Sequence, residues 1–309
     1  MNSAISDLDL PRGLWPVMLT PFSEDKSIDW DSLDRLTDWY LANGACGLFS
    51  CCLSSEVYFL TEEERIAVAG RVVMRAGRVP VVAAGVPGRE PAAAARFMAQ
   101  LMDTGVSAIV ITACQLADED ATESEWLSSA EALLAAAPSV PLGLYEAPLP
   151  YHRLLSPNMV HWAVETGRFF FLKDTSCAMG VVRSRIKLVH DTPLRLLNAH
   201  AAFLAEAVRA GADGFSGIAA NAWPGLCSWL VAHAKNSESQ VKAVQKFIRG
   251  SERLLEHKYP ASAKVLAQLA RMPIQAICRS GDLAFTSEER RRLEAARATA
   301  DQLLASLGM

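Results

Sequence analysis

The chain has 309 residues, 51% of them hydrophobic and 21% charged, with a formal net charge of −4 and an isoelectric point near 5.9. That balance fits a folded globular protein rather than a disordered one, and the lack of a basic cluster argues against nucleic acid as a partner. No apolar run approaches the roughly 18 residues of a membrane helix and the N-terminus shows no basic-then-apolar leader, so a cytoplasmic protein is expected, without membrane contact.

Residues 1–10 read as a loose tail. From Leu14 onward, short apolar runs alternate with stretches of helical period, and strands are expected at 14–19, 47–51, 79–84, 108–112, 142–145, 169–173, 194–197 and 214–217. The alternation implies parallel strands joined by helices. Eight such runs suggest an α/β fold closed into a (β/α)8 barrel, which commonly takes about 250 residues. Helices are expected at 31–42, 61–76, 90–103, 123–136, 156–165, 179–190, 201–209 and 223–234. In the first, Leu33, Leu36, Trp39 and Tyr40 recur at helical spacing, and Thr61-Glu62-Glu63-Glu64 is a capping box that opens the second. Beyond about 236 the strands cease and helical stretches follow at 238–257, 260–269 and 287–307. The expected organisation is a barrel over 11–235 with a C-terminal helical layer, 236–309, packed on it. A doubly wound open sheet shares the alternation but calls for a glycine-rich phosphate loop, and Gly85-Val86-Pro87-Gly88 does not fit that pattern.

The side chains that punctuate these elements narrow the chemistry. Seven cysteines is an odd number, and Cys46, Cys51 and Cys52 lack zinc-site spacing, so reduced thiols and no metal are expected. Arg290-Arg291-Arg292 follows Glu288-Glu289 and reads as a solvated helix face. The tryptophans, Trp15, Trp39 and Trp223 among them, are expected in the core.

The stretch Phe169-Phe170-Phe171-Leu172-Lys173-Asp174-Thr175-Ser176 drives a lysine into the end of an aromatic run. Strict alternation would put Phe169, Phe171 and Lys173 on one face. A lysine with an ordinary pKa near 10.4 is only about 0.04% neutral at pH 7, and a downward shift of about three units would leave roughly a quarter neutral. Only the neutral amine attacks a carbonyl, so Lys173 is either a Schiff-base lysine activated by desolvation or a strand-end lysine that snorkels to water. In a barrel Tyr145 would end the neighbouring strand, as a proton relay or as a rim aromatic with its hydroxyl in water.

The order Leu19-Thr20-Pro21-Phe22, Leu60-Thr61-Glu62-Glu63-Glu64-Arg65, Leu144-Tyr145-Glu146-Ala147-Pro148 and Leu172-Lys173-Asp174-Thr175-Ser176 resembles the dihydrodipicolinate synthase and N-acetylneuraminate lyase family of class I aldolases over nearly the whole chain. The resemblance implies a (β/α)8 barrel with C-terminal helices, a homo-oligomer (dimer or tetramer), and condensation of a lysine with pyruvate or a related 2-oxo acid. By it Lys173 is the Schiff-base lysine and Tyr145 the relay. Ser54 and Ser55, within Cys52-Leu53-Ser54-Ser55-Glu56, fall where the family's GTTGE loop holds the substrate carboxylate. Ser216 matches a position facing the 2-oxo acid, with a surface turn equally open. Arg153 stands near the place of the synthases' arginine for the aldehyde carboxylate, which falls near Pro150. Asn198 and His200 end the seventh strand, where they would touch a distal part of the substrate or serve as plain polar rim.

The departures are as informative as the matches. Leu53 replaces the first threonine of the loop, and Thr112-Ala113-Cys114-Gln115 lacks the family's second relay tyrosine. The expectation is a cofactor-free Schiff-base lyase of the aldolase or dehydratase type that is not a true dihydrodipicolinate synthase. The alternative is a non-catalytic binding or regulatory relative that keeps the barrel without turnover.

Overall fold

The structure, a computed structural model, describes residues 8–85, 90–236 and 238–309. Most of the expected N-terminal tail and the Val86-Pro87-Gly88 part of the phosphate-loop candidate therefore lie outside the described residues. Eight strands run in chain order: β1 Gly13–Leu14, β2 Leu48–Ser50, β3 Val81–Ala84, β4 Ala108–Thr112, β5 Leu142–Tyr145, β6 Phe169–Asp174, β7 Arg195–Asn198 and β8 Gly214–Phe215. All pair in parallel in the order β1-β8-β7-β6-β5-β4-β3-β2. Parallel bridges from Leu14 to Ala45 and from Val17 to Phe49 join the two ends, so the sheet closes into a (β/α)8 barrel. The first strand is shorter than its apolar run because Pro16 has no N–H for the ladder. The chain still follows β2, with the Met18 N–H on the Phe49 carbonyl at 2.9 Å and the Phe49 N–H on the Pro16 carbonyl at 3.0 Å.

Helices α1 Trp30–Ala42, α2 Glu62–Ala76, α3 Pro91–Asp103, α4 Glu123–Ala136, α5 Pro157–Glu165, α6 Met179–Val189, α7 Leu204–Ala210 and α8 Pro224–His233 cover the outside. Their starts follow the capping chemistry of the sequence. Asp29 accepts from the Ser32 N–H, and Thr61 and Thr122 form capping boxes with Glu64 and Glu125. The helix expected from 201 begins as a 3-10 turn, Ala201–Phe203. Three more helices extend the chain: α9 Glu238–Glu256, α10 Ala261–Leu269 and α11 Ser287–Ser306. Gln245 of α9 bonds the Ala201 carbonyl and the Ala205 N–H, both at 2.8 Å, and the Trp223 indole donates to Ser251 at 3.0 Å. The extension is thereby seated on the last βα units. No helix among the described residues is long and apolar enough to cross a membrane.

Parallel strands buried on both faces need two apolar layers. Trp15, Val17, Phe49, Val82, Val110, Phe171 and Leu197 fill the barrel, while Leu48, Ile109, Ile111, Leu144, Leu172 and Leu196 face the helices. The simple alternation along β6 is broken. Leu142 pairs with Phe169 but Gly143 pairs with Phe171, so Phe170 is bulged. Phe169 consequently packs outward on Trp162 of α5, with centroids 5.6 Å apart, and does not share the face of Lys173. Glycine at 143 makes room for this, since a Cβ there would lie 2.9 Å from that of Phe171. The seven cysteines are all free thiols, five of them buried. Trp15 and Trp223 are buried, and Trp39 is packed against the core from a half-buried position.

Candidate active site

The β5–β6 register sets Tyr145 directly opposite Lys173 at the C-terminal end of the barrel, the end at which barrel chemistry is built. Lys173 does not snorkel. It is only 4% exposed, and its Nζ lies 4.1 Å from the Tyr145 ring centroid and 5.7 Å from that of Phe49. Phe49 stands edge-on to both Tyr145 and Phe171, at 5.8 and 5.4 Å, which completes an aromatic box around the amine. Among the described residues no carboxylate pairs with Lys173. Burial pushes its pKa from the usual lysine range down to about 8, with a smaller opposing contribution from Cys52. The same burial pushes the Tyr145 phenol well above its ordinary range, so it stays protonated and able to donate.

The residues that follow these two are held by one guanidinium. Arg185 of α6 donates to Asp174 at 2.5 Å, to both carboxylate oxygens of Glu146, and to the Leu155 carbonyl at 2.7 Å. All three side chains are at most 3% exposed. The second negative charge is spread over further donors: Glu146 accepts from the N–H groups of Leu155 and Thr175, and Asp174 from the N–H and hydroxyl of Ser176. A charge cluster this dry is tolerable only when every oxygen is bonded. Because Glu146 and Asp174 are the next residues after Tyr145 and Lys173, the cluster fixes the backbone that aims both.

The third component is the loop after β2. It passes through Cys51 and Glu56, both with positive φ (52° and 59°), and through a 3-10 turn, Leu53–Ser55. Ser55 turns inward: its Oγ donates to the Met18 carbonyl at 2.6 Å and accepts from the Cys52 N–H at 3.1 Å. Glu56 is anchored from the C-terminal extension, with Lys264 of α10 at 2.8 Å and the Ser280 N–H at 2.8 Å. Ser54 accepts a 2.6 Å hydrogen bond from the hydroxyl of Tyr259, the residue that leads into α10.

These parts enclose a cavity of about 280 Å³ lined by Lys173, Tyr145, Ser54 and Tyr259, by the further polar residues Glu56, Tyr58 and Ser280, and by an apolar wall that includes Leu53, Val57, Phe59, Leu149 and Ile218. A smaller cavity of about 20 Å³ also reaches Tyr145, between Leu53, Arg65, Thr112 and Gln115. The structure thus brings Lys173, Tyr145 and Ser54 together. Ser55 lies beneath them as a staple of the loop. Ser216 is fully buried beside β7, with its N–H on the Asn198 carbonyl at 2.9 Å and its Oγ unpartnered. Arg153 is spent on the carbonyls of Asp118, Glu119 and Ala121 and does not line the larger cavity. Neither does His200, which pairs with Glu252 at 3.3 Å and packs on Phe203. Sequence reasoning missed Tyr259 and Arg185. Each belongs to a helix or to its approach, where a tyrosine or arginine gives no signal of the partner it will meet.

The chain matches the dihydrodipicolinate synthetase family model over residues 10–300. It is 26% identical over 214 residues to a 4-hydroxy-tetrahydrodipicolinate synthase from Methanothrix thermoacetophila, covering 69% of this chain and 70% of that one. With the same enzyme from Gluconacetobacter diazotrophicus the identity is 23% over 273 residues, covering 85% and 91%. Among solved structures, a chloride-inhibited dihydrodipicolinate synthase from Acinetobacter baumannii in complex with pyruvate superposes with a TM-score of 0.82 at 21% identity, over 94% of this chain and 99% of that one. A prophage protein of the dihydrodipicolinic acid synthase family from E. coli K12, also in complex with pyruvate, gives 0.84 at 19%, over 94% and 98%. Strand order, closure and a match across nearly all of its length agree: the chain belongs to the dihydrodipicolinate synthetase family.

Proposed function

We propose that the protein is a Schiff-base-forming lyase, of the aldolase or dehydratase type, that acts on pyruvate or a related 2-oxo acid as a homo-oligomer. The observation that carries this is the buried amine of Lys173, desolvated against the Tyr145 ring at the mouth of a closed barrel. With a pKa of about 8, roughly a tenth of it is neutral at pH 7, against a few hundredths of a per cent for an ordinary lysine. The neutral Nζ attacks the 2-oxo carbon, and the carbinolamine loses its hydroxyl as water with a proton from the Tyr145 phenol. The resulting iminium is the electron sink for either carbon–carbon cleavage or loss of water, so no cofactor is called for. Ser54 and neighbouring amides hold the carboxylate. The pyruvate complexes of the two structural relatives support the substrate class.

The second partner should differ from that of a true synthase. Lys173 is the only cation lining the larger cavity among the described residues, Arg153 is engaged elsewhere, and Leu53, Val57, Phe59, Leu149 and Ile218 offer an apolar wall. Such a wall suits a bulkier, less acidic group than the carboxylate of aspartate semialdehyde. A binding relative without turnover is the second reading, favoured by Leu53 and Gln115 at the positions of the family's hydroxyl relays and opposed by the Tyr58 and Thr112 hydroxyls that line the same small cavity as Tyr145. Borohydride reduction in the presence of pyruvate tests the first reading. Mass analysis should find the adduct on Lys173 and none in Lys173→Ala; labelling that persists in the variant would move the chemistry elsewhere. Exchange of the pyruvate methyl protons with deuterated water separates the readings, because a binder that forms the imine without turning it over shows the label but no exchange.

A further inference from the structure

Ser54 is the last member of a buried hydrogen-bond chain whose direction the structure fixes. The Val17 carbonyl can only accept, so the group of Asn221 facing it at 2.7 Å is the amide nitrogen. The oxygen of Asn221 then takes the hydroxyl hydrogen of Tyr40 at 2.7 Å, and the second amide hydrogen goes to the Tyr259 oxygen, also at 2.7 Å. Tyr259 has accepted once, and its single hydrogen goes to Ser54 Oγ at 2.6 Å. Asn221 and Tyr40 are wholly buried, and burial keeps both phenols protonated. Ser54 therefore receives a hydrogen bond from behind and keeps its own hydrogen. Among the described residues no protein acceptor takes it, and the cavity shared with Lys173 and Tyr145 is beside it.

We propose that Tyr259 is a positioning residue that makes Ser54 an obligate hydrogen-bond donor to the carboxylate of the bound acid. A serine hydroxyl free to rotate would present lone pairs to an anion in part of its states, whereas one that accepts from Tyr259 presents its hydrogen. The assignment rests on the 2-oxo acid reading of the site. It does not make Tyr259 a replacement for the missing relay tyrosine. An amide such as Asn221 does not pass protons, so the chain orients Ser54 and carries nothing to water. The physical role is selective for the anion: it governs affinity for the carboxylate and leaves the amine chemistry at Lys173 alone.

Lactate supplies the probe, because it carries the carboxylate but no keto group and cannot form the imine. Its dissociation constant, followed by tryptophan fluorescence, should rise about tenfold in Tyr259→Phe and in Ser54→Ala, the scale of one charge-assisted hydrogen bond. The double variant should be no weaker than either single one, and Ser54→Thr should bind as the wild type does. At saturating pyruvate the borohydride-labelled fraction should stay at the wild-type level while the half-saturating concentration rises. Tyr259→Met reads the same quantity should the phenylalanine variant not fold. Unchanged lactate affinity in the Tyr259 variants, losses that multiply in the double variant, or a wild type that does not bind lactate would overturn the assignment. Lactate binding with the expected pattern but without pyruvate trapping on Lys173 would instead sink the imine chemistry and leave the positioning role standing.

Discussion

Replacing Lys173 by methionine should stabilise the protein, and the size of the gain measures how far the amine is desolvated. The side chain is buried, and its pKa falls from an ordinary 10.5 to about 8. At 1.36 kcal/mol per pKa unit, keeping this lysine folded and charged costs about 3 kcal/mol. Methionine fills a similar volume without charge, so Lys173→Met should gain about 3 kcal/mol at pH 7. The sign with pH follows from linkage. Between pH 8 and 10.5 the unfolded chain holds a proton that the folded one has released, so the wild type gains stability as pH rises through that window. The advantage of the variant should therefore be full below about pH 8 and gone by about pH 10.5. Urea midpoints of both proteins at pH 7, 8, 9 and 10.5, at one protein concentration so that assembly does not intrude, provide the measurement. A variant no more stable than wild type at pH 7, or an advantage that does not change with pH, would refute desolvation as the source of the reactive amine.

Tyr145→Phe keeps the ring packed on Phe49 and removes only the proton carrier, so exchange of pyruvate methyl protons should fall by roughly 10²–10⁴ with melting unchanged; unchanged exchange reduces Tyr145 to packing. Arg185→Met strands Glu146 and Asp174 as buried, unpaired carboxylates and should cost about 3–5 kcal/mol in urea unfolding. A loss under about 1 kcal/mol there would mean that the N–H donors alone carry both charges. With pyruvate and aspartate semialdehyde, the catalytic efficiency should sit two to three orders of magnitude below that of a genuine synthase, because Arg153 is engaged by backbone carbonyls and, among the described residues, Lys173 is the only cation lining the larger cavity. A value within roughly tenfold would show that the substitutions around the cavity matter less than their chemistry suggests.

Much of the architecture was legible in the residues because it is local. The apolar run Ala108–Thr112 and the run Leu142–Tyr145 became strands with those same bounds, and the Thr61 capping box opens its helix where the spacing put it. The run at 169–173 was legible as a strand but not in its facing, because a bulge at Phe170 is a property of the β5–β6 register and not of either segment. Lys173 and Tyr145 could be named from their strand-end positions and from the family motifs. Whether the amine reached water could not, since that depends on the rings of Phe49 and Tyr145 brought from other strands. The sequence by itself determined the alternation of strands and helices and the number of βα units, and it singled out Lys173 and Tyr145 as the candidate pair. Only the tertiary structure decided that Arg185 grips the residues behind that pair, and that Tyr259, 205 positions from Ser54 in the chain, donates a hydrogen bond to it. Periodicity and capping act between residues a few positions apart, so one segment states them, whereas a hydrogen bond across the barrel leaves no trace in either partner's neighbourhood until the chain has closed.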